Sequence, residues 1–197
     1  MPAESYQTLT TPVEAEFRDR GSRFLGFAFP VRTVAEAKQT LAEKRKEHPK
    51  AVHHCLAYRI GDDFRASDDG EPSGSAGRPM LGAIDSARLD YTAAIVVRYF
   101  GGTLLGVPGL IHAYRTAVAD ALAKGEPTTR WMETSYEIVC DYGLVSEVLR
   151  VLRMQGATML QQEMQLFCTL VAGIRPSLEP AFLAAMAELP SATVKKI

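Results

Sequence analysis

The sequence predicts an α+β protein of two domains, and three observations carry that prediction. The chain has 197 residues, more than the roughly 100–150 of a typical single domain. Up to Gly125, strand patterns and glycine-rich loops alternate with three helical patterns around a continuously apolar segment, Ala93 to Val97. Beyond Gly125 the order becomes strand, helix, strand, strand, helix, strand, which is the ferredoxin-like split βαβ unit. The expected domains are therefore 1–125 and 126–197, joined at Glu126-Pro127-Thr128.

Each element has a local reason. Residues 11–20 and 22–31 read as two strands around a turn at Gly21, the second rich in Phe. Thr33 and Glu36 form a capping-box pair. Val34, Ala37, Leu41 and Ala42 then recur at helical spacing, and Pro49 ends the helix. His53 to Ile60 reads as a strand. The polar stretch Ser67 to Gly77 is too rich in turn formers to be anything but a loop. A short helix over 79–87 carries Pro79 in its first turn, where a missing N–H costs nothing. Ala93 to Val97 is the pattern of a central strand covered on both faces. A second glycine-rich loop, Gly101 to Gly106, leads into a helix bearing Pro108, Leu110, Tyr114, Ala117, Val118, Ala121 and Leu122, which Gly125 ends.

In the second segment the spacing predicts strands over 134–141, 157–164, 166–173 and 192–196. The helices between them, 143–155 and 178–189, show Val145, Val148, Leu149 and Leu152, then Phe182, Ala185, Met186 and Leu189. Gly156 ends the first of these helices.

Composition removes several function classes. Apolar residues make up 47% and charged residues 23%, which argues against disorder. With 22 basic and 23 acidic side chains the net charge is −1, so phosphate recognition, if any, is local rather than global. No apolar run approaches the roughly 20 residues of a membrane span. Met1 to Pro12 lacks the basic start and apolar stretch of a signal peptide. A cytoplasmic location follows by elimination. Cys55, Cys140 and Cys168 form no CxxC pair and read as buried, inert thiols of a reducing compartment. His53, His54, Cys55 and His112 are too scattered a set for zinc, because alternation sends His54 to the opposite strand face. Neither a metal nor a cofactor is expected.

Both glycine loops follow a strand and precede a helix with an early proline. That arrangement aims backbone N–H groups and the positive helix end at one place, where an anion is the natural ligand. Arg78, Arg98 and Arg115 are near in sequence. The bland alternative is that the glycines simply make turns. Named motifs fail on inspection. Gly101 and Gly106 have Walker A spacing, but Val107-Pro108 replaces Lys-Ser/Thr. An EF-hand would need acids where Arg65 and Ser67 stand and a Glu in place of Ala76. A nucleophile elbow on Ser75 would need glycine in place of Ser73. A Ser73 or Ser75 nucleophile with His54, or Mg²⁺ held by Asp68, Asp69 and Glu71, are the enzymatic alternatives. The three carboxylates repel one another and call for arginine partners, with Arg98 the foremost candidate.

Four strings are more specific: Ser22-Arg23-Phe24-Leu25-Gly26, His53 to Tyr58, Ser67 to Pro79 (SDDGEPSGSAGRP), and Arg98-Tyr99-Phe100-Gly101-Gly102. Together they resemble the IMPACT family, and within it the bacterial YigZ-type members that add a C-terminal ferredoxin-like domain. The resemblance implies an N-terminal α/β sandwich of the ribosomal-protein-like fold, similar to domain IV of elongation factor G, with a second domain similar to the last domain of that factor. It also implies a translation-associated role, since eukaryotic relatives regulate initiation through protein contacts. The family's second loop usually reads F-G-G-x-K-L-G-x-G-G-L-V-R-A-Y. Here Leu104 replaces the lysine, Pro108 a glycine and His112 the arginine, which removes two cations from the loop.

Two functions compete on these grounds. One is a non-catalytic, translation-associated regulator that binds RNA weakly or docks a ribosome-associated protein, with no membrane and no DNA sequence specificity. The other is an enzyme acting on a phosphorylated or acyl substrate at the glycine loops. The candidate surface is Asp68, Asp69, Glu71, Ser73, Gly74, Ser75, Gly77, Arg78, Arg98, Tyr99, Phe100, Gly101, Gly102, Gly106 and His112, with no catalytic residue assigned. The absence of a clear nucleophile–base pair favours the regulator.

Overall fold

The computed structural model describes residues 4–164, 167–189 and 191–197. Two compact units emerge, one formed by residues 6–130 and the other by residues 131–197 with the N-terminal residues through Ser5. In chain order the elements through the first unit are β1 (Ser5–Leu9), β2 (Val13–Asp19), β3 (Ser22–Pro30), α1 (Val34–Glu47), β4 (His53–Ile60), β5 (Asp63–Ser67), α2 (Gly77–Ser86), β6 (Thr92–Tyr99), α3 (Gly106–Ala123) and β7 (Pro127–Trp131), of which only the terminal Ser5 and Trp131 fall to the other unit.

The main sheet has the order β2-β3-β6-β4-β5, and every neighbouring pair in it is antiparallel. Strand β6 lies at its centre and is buried from Thr92 to Arg98, as its unbroken apolar run requires. One face packs Phe24, Ala94 and Val96 against α2 and α3 through Met80, Ile84, Tyr114 and Val118. The other face packs Phe27, Ile95, Val97 and Leu56 against Ala37 of α1. Helix α1 starts where the cap pattern places it, with the Thr33 hydroxyl accepting from the Glu36 N–H at 3.2 Å.

Strand β3 and helix α3 touch backbone to backbone at Gly26. A Cβ there would come within 2.2 Å of the Ala117 carbonyl oxygen, so a side chain would force the helix off the sheet.

Three strands fall outside the sequence expectations: β1, β5 and β7. Each has five residues, too few for the alternation to stand out, and β5 is exposed or half-buried throughout. The segment Glu126-Pro127-Thr128 is accordingly no linker. The Thr10 N–H donates to the Glu126 carbonyl at 3.0 Å, Gln7 Nε2 donates to Thr129 Oγ1 at 2.6 Å, and the units divide at Arg130–Trp131. Gly125 does follow α3, but its φ is not positive. A Cβ at Gly125 would meet Leu9 Cδ2 at 2.5 Å, so close approach of β1 explains the glycine.

The second unit contains β8 (Thr134–Cys140), a 3-10 turn (Tyr142–Leu144), α4 (Val145–Met154), β9 (Thr158–Met164), β10 (Cys168–Ile174), a second 3-10 turn (Pro176–Leu178), α5 (Glu179–Ala187) and β11 (Ala192–Lys196). Its sheet has the order β11-β8-β10-β9. Ile138, Leu170 and Ile174 of the sheet bury against Val148, Leu152, Phe182 and Met186 of the helices. The predicted start of β10 at 166 lies outside the described residues. Gly156, at φ +62, takes the left-handed conformation that ends α4. All three cysteines are free and buried.

Candidate functional site

Strand β5 is antiparallel to β4, and β4 is antiparallel to β6, so β5 and β6 run in the same direction. Their carboxyl ends lie at one end of the sheet, and each is followed by a glycine loop and a helix. Both loops contribute to a single cavity of about 420 Å³. It is lined by Val52, His53, Glu71, Pro72, Arg98, Phe100, Leu104, Leu105, Gly106, Val107 and Leu110.

The first loop fills its own anion site. The Asp68 carboxylate accepts N–H bonds from Gly74 at 2.7 Å, Ala76 at 3.0 Å and Gly77 at 2.8 Å, which satisfies the opening turn of α2. Burial pushes the Asp68 pKa up. The three backbone donors and the nearby Arg78 charge outweigh it, and the group ends below its ordinary value. The N–H groups of Gly74, Ala76 and Gly77, expected to face an external anion, are thus engaged by Asp68. The Gly74 φ of +77 turns its N–H toward Asp68, a geometry that glycine adopts without strain.

The neighbouring acids are also committed. Asp69 accepts from Arg45 Nη2 at 2.5 Å and from the His54 backbone N–H at 2.7 Å. The arginine comes from α1 rather than from the loops, so no sequence spacing pointed to it. Glu71 is buried and takes the expected partner, with Arg98 Nη1 donating to Oε1 at 2.6 Å. Tyr114 Oη donates to the same oxygen at 2.7 Å. Burial foremost, then the neighbouring Cys55 and Glu71, push the Tyr114 phenol pKa far up, so it is a fixed donor. Cys55 lies alongside with its thiol donating to the Asp68 carbonyl at 3.1 Å. Burial pushes its pKa up to about 12, which leaves it protonated and a poor nucleophile.

The serines offer no activated hydroxyl. Ser75 is buried and donates to the Pro72 carbonyl at 2.6 Å, while Ser73 is exposed. His54 points to the α1 side of the sheet, away from both. Among the described residues its buried Nε2 has no partner, and burial lowers its pKa. His53 lines the cavity instead. Its Nδ1 bonds the Asp69 carbonyl at 2.8 Å, and its Nε2 stands 3.8 Å from Glu71 Oε1. Among the described residues no cluster of His, Cys, Asp or Glu is arranged to hold a metal ion.

The second loop is held from behind. Gly101 packs on the β2–β3 turn, where a Cβ would come within 1.9 Å of the Gly21 carbonyl carbon, and its N–H donates to Ser22 Oγ at 3.1 Å. Gly102 and Gly106 have φ values of +85 and +69. Phe100 stacks loosely on Arg98, 5.6 Å from the guanidinium carbon.

Three expected members stand apart. Tyr99 faces the α1 side and bonds His48 Nδ1 at 3.0 Å. His112 lies edge-on to Phe17 of β2. Arg115 reaches Ser86 on α2. Their places in the sequence are close to the loops, but strand alternation and helix periodicity turn them elsewhere. Tyr114, His53 and Val52 belong to the site and were not singled out for it. Tyr114 has the spacing of an ordinary core residue, and nothing in the sequence marks its hydroxyl.

The family model of the Impact N-terminal domain matches residues 20–122, the stretch that holds both glycine loops. An IMPACT family member of Haemophilus influenzae is 36% identical over 175 residues, 86% of this chain and 85% of its own length. The Escherichia coli IMPACT family member YigZ is 33% identical over 190 residues, 94% of this chain and 93% of its own. A crystal structure described as a hypothetical protein aligns with a TM-score of 0.75 at 31% identity, covering 99% of this chain and 98% of that one. The chain belongs to the IMPACT family.

Proposed function

We propose that this chain is a non-catalytic, translation-associated regulator that acts by docking a macromolecule at the loop junction. The translation setting is what the resemblance to the IMPACT family implies, and membership of that family supports it. One observation carries the docking reading. All three loop carboxylates are consumed by internal partners, while Val52, Phe100, Leu104 and Val107 stand exposed around the cavity mouth. A hydrolytic or phosphoryl-transfer site needs an activated nucleophile, and neither Ser75, which donates to the Pro72 carbonyl, nor the protonated Cys55 is one. A docking site needs exposed apolar surface.

The strand order β11-β8-β10-β9 with its two helices supports a ferredoxin-like reading of the second unit. The helices on both faces of the first unit's sheet support the elongation factor G domain IV-like reading. Fold similarity alone names no partner. No helix among the described residues is long and apolar enough to cross a membrane.

The test is co-sedimentation with purified ribosomes and initiation complexes, comparing the natural chain with Leu104→Asp. Leu104 is 81% exposed, so the substitution leaves the core alone. Sedimentation that is lost in the variant supports the proposal. No sedimentation, or equal sedimentation of both proteins, refutes docking through this surface.

A further inference from the structure

We propose that the cavity between the two loops is a socket for one aromatic side chain of a partner protein, a tryptophan or tyrosine flanked by acidic residues. This rests on the reading that the loop junction is a contact surface, and it specifies what enters.

The walls decide the first part. Val52, Phe100, Leu104, Leu105, Val107 and Leu110 line a space of about 420 Å³, near the lower end of the roughly 300–1,000 Å³ of small-ligand cavities. Four of these side chains are unusually open for their size: Val52 at 52%, Phe100 at 47%, Leu104 at 81% and Val107 at 45%. An apolar rim around an apolar hole is the form of a hot-spot pocket, where tryptophan and tyrosine are the enriched anchors.

The floor decides the second part. The Asp69 carbonyl can only accept, so His53 Nδ1 carries a proton. In the neutral imidazole Nε2 is then an acceptor, and among the described residues it has no hydrogen-bond partner; the Glu71 oxygen at 3.8 Å is too far. A ring N–H or O–H entering between the apolar walls meets this acceptor. An aliphatic side chain would leave it unpaired. The one guanidinium at the floor, that of Arg98, is already paired with Glu71 at 2.6 Å, so the cavity holds no uncommitted cation for a phosphate.

Charge around the mouth decides the flanks. Lys50 precedes Val52 by two residues, and the Arg78 side chain packs near Gly74. Both are exposed; the Arg78 charge acts on Asp68, while Lys50 joins no ion pair among the described residues and Asp68, Asp69 and Glu71 are all engaged. Lys50, two residues from the rim residue Val52, is therefore the cation that an acidic flank of the partner would meet. RNA is the less suitable occupant. Single strands use flat aromatic platforms, and only Phe100 among the exposed rim residues is aromatic.

The experiment is a titration of the full ¹⁵N-labelled chain with the peptide acetyl-Asp-Trp-Asp-amide, followed by amide resonances. Shifts should concentrate at Val52, His53 and Leu104 to Val107, with a Kd on the order of 1 mM for so small a probe. Replacing Trp by 1-methyltryptophan or by Leu should weaken binding, and replacing both Asp by Lys should weaken it about five-fold. Leu104→Asp should abolish the shifts. Phe64→Asp, at a residue 59% exposed on β5, should preserve them.

Absence of shifts at ten times that concentration, or shifts indifferent to the ring N–H, overturns the aromatic socket. So does tighter occupation of the same resonances by a uridine decamer, which would make the occupant a nucleic acid. If the peptide fails while Leu104→Asp still abolishes ribosome sedimentation, the contact surface stands and only the anchor is wrong. If the peptide binds and ribosomes do not, the socket stands and the translation setting falls.

Discussion

Asp68 concentrates more structural work than any other single side chain of the loops, because one carboxylate satisfies three backbone donors at the start of α2. Asp68→Ala should cost about 2–4 kcal/mol, measured by urea unfolding, since charged hydrogen bonds are lost and donors are left unpaired. The pH dependence has a definite sign. The folded-state pKa lies below the ordinary value of 3.8, so this stabilisation is present above about pH 4 and is lost as pH falls through the lower, folded value. The gap between natural chain and variant should therefore narrow only below pH 4. A constant gap down to pH 2 would show that the carboxylate is not the cause. Arg98 poses the complementary case. Its guanidinium neutralises a buried Glu71, and Arg98→Ala strands that charge with Tyr114 as its remaining close donor. The expected loss is about 3–5 kcal/mol, and an unchanged melting temperature would contradict the buried pair.

Among the elements, the β2–β3 turn and the second glycine loop are locked by the near-contact of Gly21 and Gly101. Gly101→Ala should destabilise the first unit by about 3 kcal/mol through overpacking, whereas Gly102→Ala has open space around its Cβ and meets only its left-handed backbone. Thermal unfolding of the two variants distinguishes these causes, and equal losses would argue against the close approach. The long elements were legible in the sequence because their periodicity was strong: α1 from Thr33, the buried β6, α3, and the six elements of the second unit. The Glu71–Arg98 pair was legible as well, since crowded acids demand a cation. What could not be read is what folding brings from afar. Arg45 reaches Asp69 from α1, Tyr114 reaches Glu71 from α3, and β1 meets β7 across the unit. Residue spacing carries no trace of such partners. That Asp68 itself would take the free N–H groups at the start of α2 was unreadable for a related reason, because spacing does not say which way a loop carboxylate turns.

On the scale of the whole molecule, the pairing of β1 with β7 moves the boundary that a linker-like Glu126-Pro127-Thr128 suggested. A chain ending after Met132 should be more stable than one ending after Gly125 by about 2 kcal/mol. The shorter piece loses the bonds of Thr10 to Glu126 and Gln7 to Thr129. Equal urea midpoints for the two pieces would mean that β7 contributes nothing.

That same pairing has a topological consequence. The bonded partners run Thr10 with Glu126, Gln7 with Thr129 and Met132 with Glu4, so the two strands are antiparallel, and the chain enters and leaves residues 6–130 at adjacent points. A unit whose ends emerge side by side behaves as a cassette: it can be spliced into a surface loop of another protein, or have its ends joined and be reopened elsewhere, without stretching the host or itself.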